Sequence, residues 1–270
     1  MKSRFALGAV IVGVPLALAL LGPLFTGEAG PRAASFTAGG GHWLGTDFVG
    51  RDVWRQVLLG GRSVVLVALA ATALACLVAL PLGLVSALTH RTWLEEVLMR
   101  PLDVLLAVPS LLMILLVASV LTPGAVGLAL LVAFVNIPDA ARIVRAAAAE
   151  AASRPAVEAL RMQGETWWRM GVGYVGRSIT RTLAADAGVR LTGVLYLVAT
   201  AAFLGVGVAP DASDWAVMVD RNRTGLFVQP WAVVVPALLI VALTMGTNLL
   251  FDATLATQSV REKRKKRMRT

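Results

Sequence analysis

Long apolar segments alternate with short polar segments along most of this chain. Six apolar runs approach or exceed the roughly 20 residues that an α-helix needs to cross a bilayer. They lie at 5–25, 64–88, 101–121, 125–144, 187–209 and 231–255. The polar stretch 90–100 is expected to be a short loop. The pattern therefore predicts an all-α integral membrane protein with six transmembrane helices.

The first apolar run has two interpretations. Lys2 and Arg4 precede it, as basic residues precede the apolar centre of a signal peptide. The run is nevertheless long enough to span, and no convincing Ala-x-Ala cleavage site follows promptly, although the segment from Ala29 to Ser35 is a candidate. We favour retention of residues 1–26 as the first transmembrane helix.

Residues 27–62 form a polar, glycine-rich interval, in which Gly39–Gly41 is predicted to be a flexible joint. In its second half, apolar side chains interleave with charged ones. The apolar members are Trp43, Phe48, Val53, Trp54, Val57 and Leu58. This pattern predicts an amphipathic segment in the headgroup region of the bilayer. His42 has no second His or Cys nearby, so no metal site is predicted there.

The long polar interval Ala141–Arg181 lies between two apolar runs and is predicted to be a loop against the membrane. Ser153 is the predicted N-cap of a short helix in it, and Pro155 suits the first turn. Gly164 can end that helix with a positive φ, so about three turns are expected.

The faces of this short helix leave its role open. Val157 and Leu160 follow an apolar helical spacing, and Glu158 lies on a polar side. The spacing fits an interfacial anchor as well as a docking helix for a cytoplasmic partner.

Composition supports a membrane protein. The chain is 57% hydrophobic and 15% charged, whereas soluble domains average about 25% charged residues. A formal net charge of +9 suggests nucleic acid in a soluble protein, but here the charges cluster between apolar runs and at the C-terminus. The single cysteine, Cys76, excludes a disulfide framework and a Cys-rich metal site.

The basic residues also predict the topology. With a cytoplasmic N-terminus and six spans, most of the 25 Lys and Arg residues fall inside, including those of Ala141–Arg181 and of the tail 256–270. The positive-inside rule favours this orientation, with both termini cytoplasmic. Arg190 falls at a boundary. The tail is interpreted as an anionic-lipid contact and topology anchor, not as a nucleic-acid site.

A few polar residues and glycines within the apolar runs are pathway or gate candidates. They are Asp103, Asp139, Gly205, Gly207, Asn248 and Asp252. Ionisable groups at membrane depth face a bundle interior or a water-filled cavity, but the two aspartates also fit helix ends near the interface. The two glycines suit either close helix packing or a gate.

Motifs for enzymatic chemistry are missing from the sequence. It contains no Gly-x-x-x-x-Gly-Lys phosphate loop, so we predict that the chain does not bind ATP and is not itself an enzyme. Energy must come from a partner or an ion gradient. His-Glu-x-x-His and Gly-x-Ser-x-Gly are also absent, which disfavours a membrane protease or esterase.

Two segments resemble one transporter family. The stretch Leu44–Val53 is similar to the Leu-Gly-Thr-Asp-x-x-Gly-Arg-Asp signature of C-type permeases in the peptide/nickel ABC importer family. The matching residues are Leu44, Gly45, Thr46, Asp47, Gly50, Arg51 and Asp52. The second stretch resembles the family's Glu-Ala-Ala loop through Glu158, Ala159 and Gly164, with Leu160 in place of the second Ala.

Two weaker likenesses lie further along the chain, and both depart from the family pattern. The segment after Phe203 resembles Phe-Leu-Gly-Leu-Gly…Pro…Trp-Gly, with Ala216 where Gly is usual. Residues 248–252 resemble Asn-Leu-Leu-Gly-Asp, with Phe251 replacing Gly. The sequence leaves open whether Asp47, Arg51, Asp52 and Arg62 pair with one another or meet an external protein.

The resemblance implies a type I ABC importer permease fold with a permease core at 63–255, in a bacterial cytoplasmic membrane. In this family a cytoplasmic coupling helix seats in a cleft of the ATPase subunit. Its residues here are Val157, Glu158, Ala159, Leu160 and Gly164. The implied partners are a homologous B-type permease, two cytoplasmic ABC ATPases that hold ATP and Mg²⁺, and an extracytoplasmic solute-binding protein. No cofactor is expected in this chain.

The resemblance does not identify the cargo. Di- or oligopeptides rank first, and nickel, another metal chelate or haem rank second. Two other classes remain as hypotheses. A gradient-driven secondary transporter would rely on Asp103 and Asp139, and a purely structural membrane subunit would tolerate replacement of Glu158 and Gly164.

Overall fold

A computed structural model describes residues 2–28, 32–39, 41–89 and 91–267. The N-terminal half of the described chain contains α1 (Lys2–Leu21), α2 (Val53–Leu88), α3 (Thr92–Leu106) and α4 (Ser110–Leu121). The C-terminal half contains α5 (Ala125–Ala152), α6 (Pro155–Met162), α7 (Arg177–Phe203), α8 (Trp215–Asn222) and α9 (Trp231–Arg267). A π-helical segment, Arg169–Gly176, leads into α7. The all-α prediction is confirmed.

Five helical segments of the described chain are long and apolar enough to cross a membrane. They are Phe5–Leu24, Val53–Leu88, Ala125–Ala152, Arg169–Phe203 and Trp231–Ala253. The helices α3 and α4 meet the same test only as a pair, bent by 87°. The prediction of six spans holds when this bent pair counts as one span.

The predicted third span, 101–121, is wrong as a single helix. The chain leaves α3 at Ala107 and re-enters a helix after Pro109. Proline lacks an N–H and disfavours helical backbone at the residue before it, which explains why the break falls at Val108. The predicted loop 90–100 is also wrong, since α3 begins at Thr92. His90 lies outside the described residues.

The predicted headgroup segment around Val53 is instead the buried beginning of α2. The Asp52 carboxylate caps α2 by accepting a hydrogen bond from the Arg55 N–H at 2.8 Å. Val53 and Val57 have no exposed surface and belong to the main apolar cluster of the bundle. The part of the apolar stripe from Val53 to Leu58 packs against protein, whereas Trp43 is 87% exposed.

The helix α1 packs along α9, with small residues at the contact. A side-chain carbon at Gly8 would lie 3.1 Å from the Leu250 nitrogen, and one at Gly246 would lie 2.6 Å from a Val12 methyl carbon. Glycine thus permits close approach of the two helices. Ala19 of α1 is fully buried. Retention of 1–26 in the mature protein stays a prediction, and the proposed cleavage segment from Ala29 and the Gly39–Gly41 joint include residues outside the described chain.

The interval Ala141–Arg181 is mostly helical, which corrects the predicted loop. The alanine-rich stretch before Ser153 continues α5 as a helix to Ala152, because alanine is the strongest helix former. After α6, the helical backbone resumes and runs through the π-helical segment into α7. Hydropathy marks where a helix leaves the membrane, and the helical hydrogen bonds can continue into polar sequence. In the same way, α9 continues beyond its apolar part to Arg267. Residues 268–270 lie outside the described chain.

A compact lobe covers one end of the bundle. We define the lobe as residues 32–52 and 204–230, without Gly40. The Trp215 side chain is fully buried in it and donates its indole N–H to the Val57 carbonyl at 2.8 Å. The Asn222 side-chain oxygen accepts from the Phe48 N–H at 2.9 Å, and the Gln229 amide donates to the Leu44 carbonyl. These bonds join the two parts of the lobe to each other and to α2.

Candidate functional site

The short helix α6 lies between α5 and α7. Arg154, with extended backbone, is its N-cap, and Pro155 is its first residue. The predicted cap at Ser153 is wrong, because Ser153 ends α5 and donates its hydroxyl to the Glu150 carbonyl at 2.8 Å. The helix has 8 residues, so it makes about two turns and not three.

The end of α6 follows the prediction. Gly164 has a φ of +72°, in the left-handed region that glycine adopts at little cost. The Glu165 N–H donates to the Leu160 carbonyl at 3.1 Å, and the Gly164 N–H donates to the Arg161 carbonyl at 3.0 Å. This pattern closes the last carbonyls of the helix in the way typical of glycine-terminated helices.

Only one of the five predicted coupling residues is buried. Val157 is 1% exposed and seats α6 on this chain's own bundle. The apolar cluster around it consists of Leu84, Leu88, Val144, Ala148, Ala151, Val175 and Ile179. Glu158 and Gly164 are exposed, and Ala159 and Leu160 are half-buried. Any partner must therefore meet α6 on the side away from Val157.

The exposed side of α6 also carries apolar surface that the sequence analysis missed. Met162 is 80% exposed, and Trp168, just beyond the helix, is 71% exposed. Trp168 is held edge-on against Trp167, with ring centroids 4.9 Å apart. Exposed large apolar side chains beside charged ones are typical of a protein-binding surface. Met162 and Trp168 can be read from the sequence, but helical spacing alone does not say which side of α6 faces outward.

The charged residues of the Leu44–Asp52 signature bond to other groups of this chain. Asp47 is 3% exposed, and its carboxylate accepts from the N–H groups of Val49 and Arg51 at 3.0 and 2.7 Å and pairs with the Arg51 guanidinium at 3.1 Å. Asp52 pairs with His42 at 2.6 Å besides capping α2. The charged residues of the signature thus pair with each other and with His42, while Arg62 is exposed. The structure favours a scaffolding role for the signature.

Two glycines of the signature are needed for the shape of the lobe. Gly45 and Gly50 have φ values of +70° and +78°. A side-chain carbon at Gly50 would lie 1.9 Å from the Ala33 carbonyl oxygen, and one at Gly45 would overlap the Gln229 amide. Thr46 is fully buried and donates its hydroxyl to the Ala34 carbonyl at 2.7 Å.

The two predicted pathway aspartates have different surroundings. Asp103 pairs with Arg142 at 2.6 Å, and both side chains are about half exposed. This pair lines an open cavity of about 490 Å³ between α3 and α5, together with Arg145, which pairs with Glu95. Asp139 is exposed on α5 and does not line that cavity. The structure therefore gives Asp103 a partner and a cavity, and it does not place Asp139 with it.

The predicted gate glycines end α7. Gly205 and Gly207 both have positive φ, at +81° and +82°. They line a cavity of about 360 Å³ with the turn that joins α4 to α5. A side-chain carbon at Gly207 would lie 2.5 Å from Leu128, so Gly207 serves close packing, whereas Gly205 has open space around it. A gate at this position stays a prediction.

Asn248 and Asp252 are four residues apart on α9 and therefore share a face of that helix. Both are exposed. Phe251, which stands where the family pattern has Gly, packs against Gly188 of α7. A side-chain carbon at Gly188 would lie 2.1 Å from the Phe251 ring. A glycine on α7 thus makes room for the larger residue on α9.

Asp214 is a buried acid at the junction of the lobe and α2. Its carboxylate caps α8 by accepting from the N–H groups of Ala216 and Val217 at 2.9 and 3.3 Å. Burial raises the pKa of this carboxyl above its ordinary value of 3.8, and the hydrogen bonds from the two N–H groups offset part of that rise. Asp214 thus binds a proton more tightly in the folded lobe than in the unfolded chain.

This raised pKa predicts a pH dependence of stability. The contribution of Asp214 is fully present below pH 3.8 and is lost as pH rises through the folded-state pKa. We expect the melting temperature of the purified protein to fall over that window, and Asp214→Asn, which keeps a capping oxygen, to flatten the fall. The measurement is thermal unfolding at a series of pH values. An equal slope in both proteins would contradict the assignment.

Comparisons with known proteins agree with this architecture. Residues 79–256 match the family described as the binding-protein-dependent transport system inner membrane component. The chain belongs to this family. It is therefore a multi-pass membrane protein and a permease subunit of an ABC transport system, which is not itself an ATPase. The matched region contains α6 and all six pathway and gate candidates, while the Leu44–Asp52 signature precedes it.

Several named permeases resemble the chain over most of its length. It is 29% identical over 250 residues to the probable D,D-dipeptide transport system permease protein DdpC of Escherichia coli, covering 90% of this chain and 83% of that protein. It is 28% identical over 214 residues to the glutathione transport system permease protein GsiD of Pectobacterium atrosepticum, covering 78% and 70%. It is 29% identical over 209 residues to the dipeptide transport system permease protein DppC of Haemophilus influenzae, covering 77% and 70%.

A largely buried charged pair in α7 was not selected by the sequence analysis. Asp186 and Arg190 of α7 are 13% and 6% exposed and lie 3.0 Å apart. Arg190 was assigned to a boundary because the fifth apolar run begins near it, but α7 starts at Arg177 and places Arg190 in its interior. The spacing of four residues was a usable signal for the pair. Within the described residues, no group of three His, Cys, Asp or Glu side chains could hold a metal ion.

Proposed function

We propose that this permease is the C-type subunit of an ATP-driven importer for di- or oligopeptides. The observation that carries the proposal is the family match across 79–256, which includes a short exposed helix, α6, held between two long helices. The relatives are named as permease proteins of dipeptide, probable D,D-dipeptide and glutathione transport systems, and these names support a peptide cargo. A metal chelate or haem is the alternative cargo class.

In the proposed mechanism, the exposed side of α6 docks in a cleft of a cytoplasmic ATPase. Two such ATPases bind ATP and Mg²⁺, and a homologous B-type permease completes the pathway. Closure of the ATPases displaces α6, and the permeases turn their shared cavity outward to accept the substrate from an extracytoplasmic binding protein. Reopening after hydrolysis returns the cavity inward, which is alternating access by rocking of helix bundles.

The proposed orientation places both termini and α6 in the cytoplasm and the lobe outside. The basic tail and the arginines around α6 support this orientation through the positive-inside rule. A lobe outside the membrane lies where a solute-binding protein can reach it.

The end of α6 offers a direct test of docking. In a Gly164→Val variant, we expect ATPase association to weaken about tenfold, because a left-handed backbone at a residue with a side chain costs about 1–2 kcal/mol. Gly164→Asn is the matched control, since asparagine tolerates this backbone better, and it should lie between wild type and valine. Pull-down of the ATPases at graded concentration measures the effect. Equal association of valine and wild type would argue against docking through α6.

The proposal as a whole is tested by affinity purification of the tagged permease in mild detergent, followed by mass spectrometry. We expect a second permease and two ATPases to remain bound. A co-purified solute-binding protein would then provide the means to identify the substrate. Repeated recovery of a lone homo-oligomer after gentle extraction would overturn the proposal and favour a gradient-driven transporter.

A further inference from the structure

The buried pair of α7 has a geometry that reaches beyond its own helix. The Arg190 guanidinium donates to both oxygens of the Asp186 carboxylate, from Nε at 3.2 Å and from Nη2 at 3.1 and 3.0 Å. This two-pronged contact holds the plane of the guanidinium in one orientation. One nitrogen, Nη1, is then directed away from Asp186.

That remaining nitrogen binds α5. Arg190 Nη1 donates to the backbone carbonyl of Asn136 at 3.1 Å. Asn136 lies two residues before Pro138, the proline inside α5. Proline removes a helical hydrogen bond and is a common cause of kinks, so α5 is weakest at this level. Arg190 thus attaches α7 to the backbone of α5 beside its weakest point.

The attachment lies deep in the bundle. Arg190 is about 20 Å along α7 from its end at Phe203, and Asn136 is about 17 Å along α5 from its start at Ala125, at 1.5 Å per residue. With Ala125 and Phe203 taken as one face of a hydrocarbon core about 30 Å thick, the attachment lies inside that core, just past its midplane. Charged groups at this depth are rare, and where they occur they serve the working parts of membrane proteins.

The two attached helices are those that carry α6. At the α6 end, α5 and α7 are already joined by the apolar cluster around Val157, which includes Ala148 of α5 and Ile179 of α7. The Arg190 bond joins them a second time, further into the membrane. A helical hairpin that is fixed at two levels resists shearing between its helices, so both helices follow a movement of α6.

We propose that Arg190, oriented by Asp186, fixes α7 to α5 beside Pro138 so that movement of α6 reaches the middle of the membrane through both helices together. This inference rests on the proposed function and adds how the movement is carried. Arg190 is a positioning residue, since its side chain is almost fully buried and is not available to a substrate. Loss of the attachment should uncouple ATP hydrolysis from transport.

A charge exchange separates the pair from the attachment. In Asp186→Arg/Arg190→Asp, the ion pair within α7 is retained, but the carboxylate at position 190 has no N–H to donate to Asn136. The matched control is Glu96→Arg/Arg100→Glu, an exposed pair with the same spacing on α3. Each is prepared as the full transport complex in liposomes, and the peptide imported per ATP hydrolysed is measured with the peptide that the wild-type complex transports.

We expect the control to match wild type and the exchange in α7 to import several-fold less peptide per ATP, with ATP hydrolysis unchanged or raised. Wild-type stoichiometry in the α7 exchange would overturn the inference. A wild-type complex that binds no ATPase or imports no peptide with ATP would overturn the proposed function instead. The two failures are therefore distinguishable.

A second measurement does not depend on the folding of the exchanged pair. Spin labels are placed beside the attachment, at the exposed residues Phe134 of α5 and Val189 of α7, in a Cys76→Ala background. We expect the distance between the labels to be the same in the nucleotide-free and ATP-bound complexes, because the hairpin moves as one body. A change in that distance on ATP binding would overturn the inference.

Discussion

In a Val157→Asp variant, we expect ATP-driven uptake to be abolished while the rest of the membrane bundle stays folded. Val157 is the buried side chain that holds α6 against α5, α7 and α2. Burying an ionised carboxylate without a partner in this apolar cluster costs too much free energy, so α6 detaches from α5, α7 and α2. The helix is short, with few other attachments, so detachment requires much less free energy than unfolding of the bundle.

The measurement for this variant combines uptake, ATPase association and thermal unfolding. Ala156→Asp is the matched control, because Ala156 is exposed and lies in the first turn of α6, where a negative charge is favourable. The control should transport normally. Normal uptake by Val157→Asp, or equal loss in both variants, would show that the seating of α6 is not what transport requires.

Replacement of Trp215 by Ala should destabilise the protein by about 3–5 kcal/mol, the range for truncation of a buried aromatic side chain. Trp215 is fully buried between the lobe and α2, and it donates its indole N–H to the Val57 carbonyl. A side-chain carbon at Gly61 would lie 2.4 Å from its ring, so the two surfaces are closely fitted and the truncation leaves a cavity. The variant should lose the attachment of the lobe first.

Thermal unfolding of the purified protein in detergent tests this expectation. Trp43→Ala serves as the control, because Trp43 belongs to the same lobe but is 87% exposed. Its effect should stay within about 0.5 kcal/mol, as for most surface substitutions. Equal melting temperatures for the Trp215 variant and its control would mean that the lobe does not depend on the buried tryptophan.

The approximate positions of five of the six spans could be predicted from the sequence, because a bilayer demands length and apolarity before anything else. The end of α6 could also be predicted, since Gly164 combines a local conformational preference with a local pattern. The beginning of α6 was misplaced by one residue, at Ser153 and not Arg154. Local signals overlap there, as Ser153 ends one helix immediately before the next begins.

The bend between α3 and α4 was missed although a proline lies at it. Pro109 lies within the predicted third span, but Pro15, Pro81 and Pro236 lie inside helices that continue past them. A proline therefore does not decide by itself whether a helix breaks. That depends on what the two halves pack against, which is a property of the bundle.

The sequence by itself determined the class of this protein, the approximate spans and the short helix α6, because hydropathy, glycine and proline act locally. Only the tertiary structure decided which faces are buried. It placed Val53 and Val157 inward, paired Asp47 with Arg51 and Asp52 with His42, and brought Arg190 to the backbone of Asn136. These outcomes depend on which surfaces meet across the bundle, and residues such as Arg190 and Asn136, 54 positions apart in the chain, carry no local pattern that records their contact.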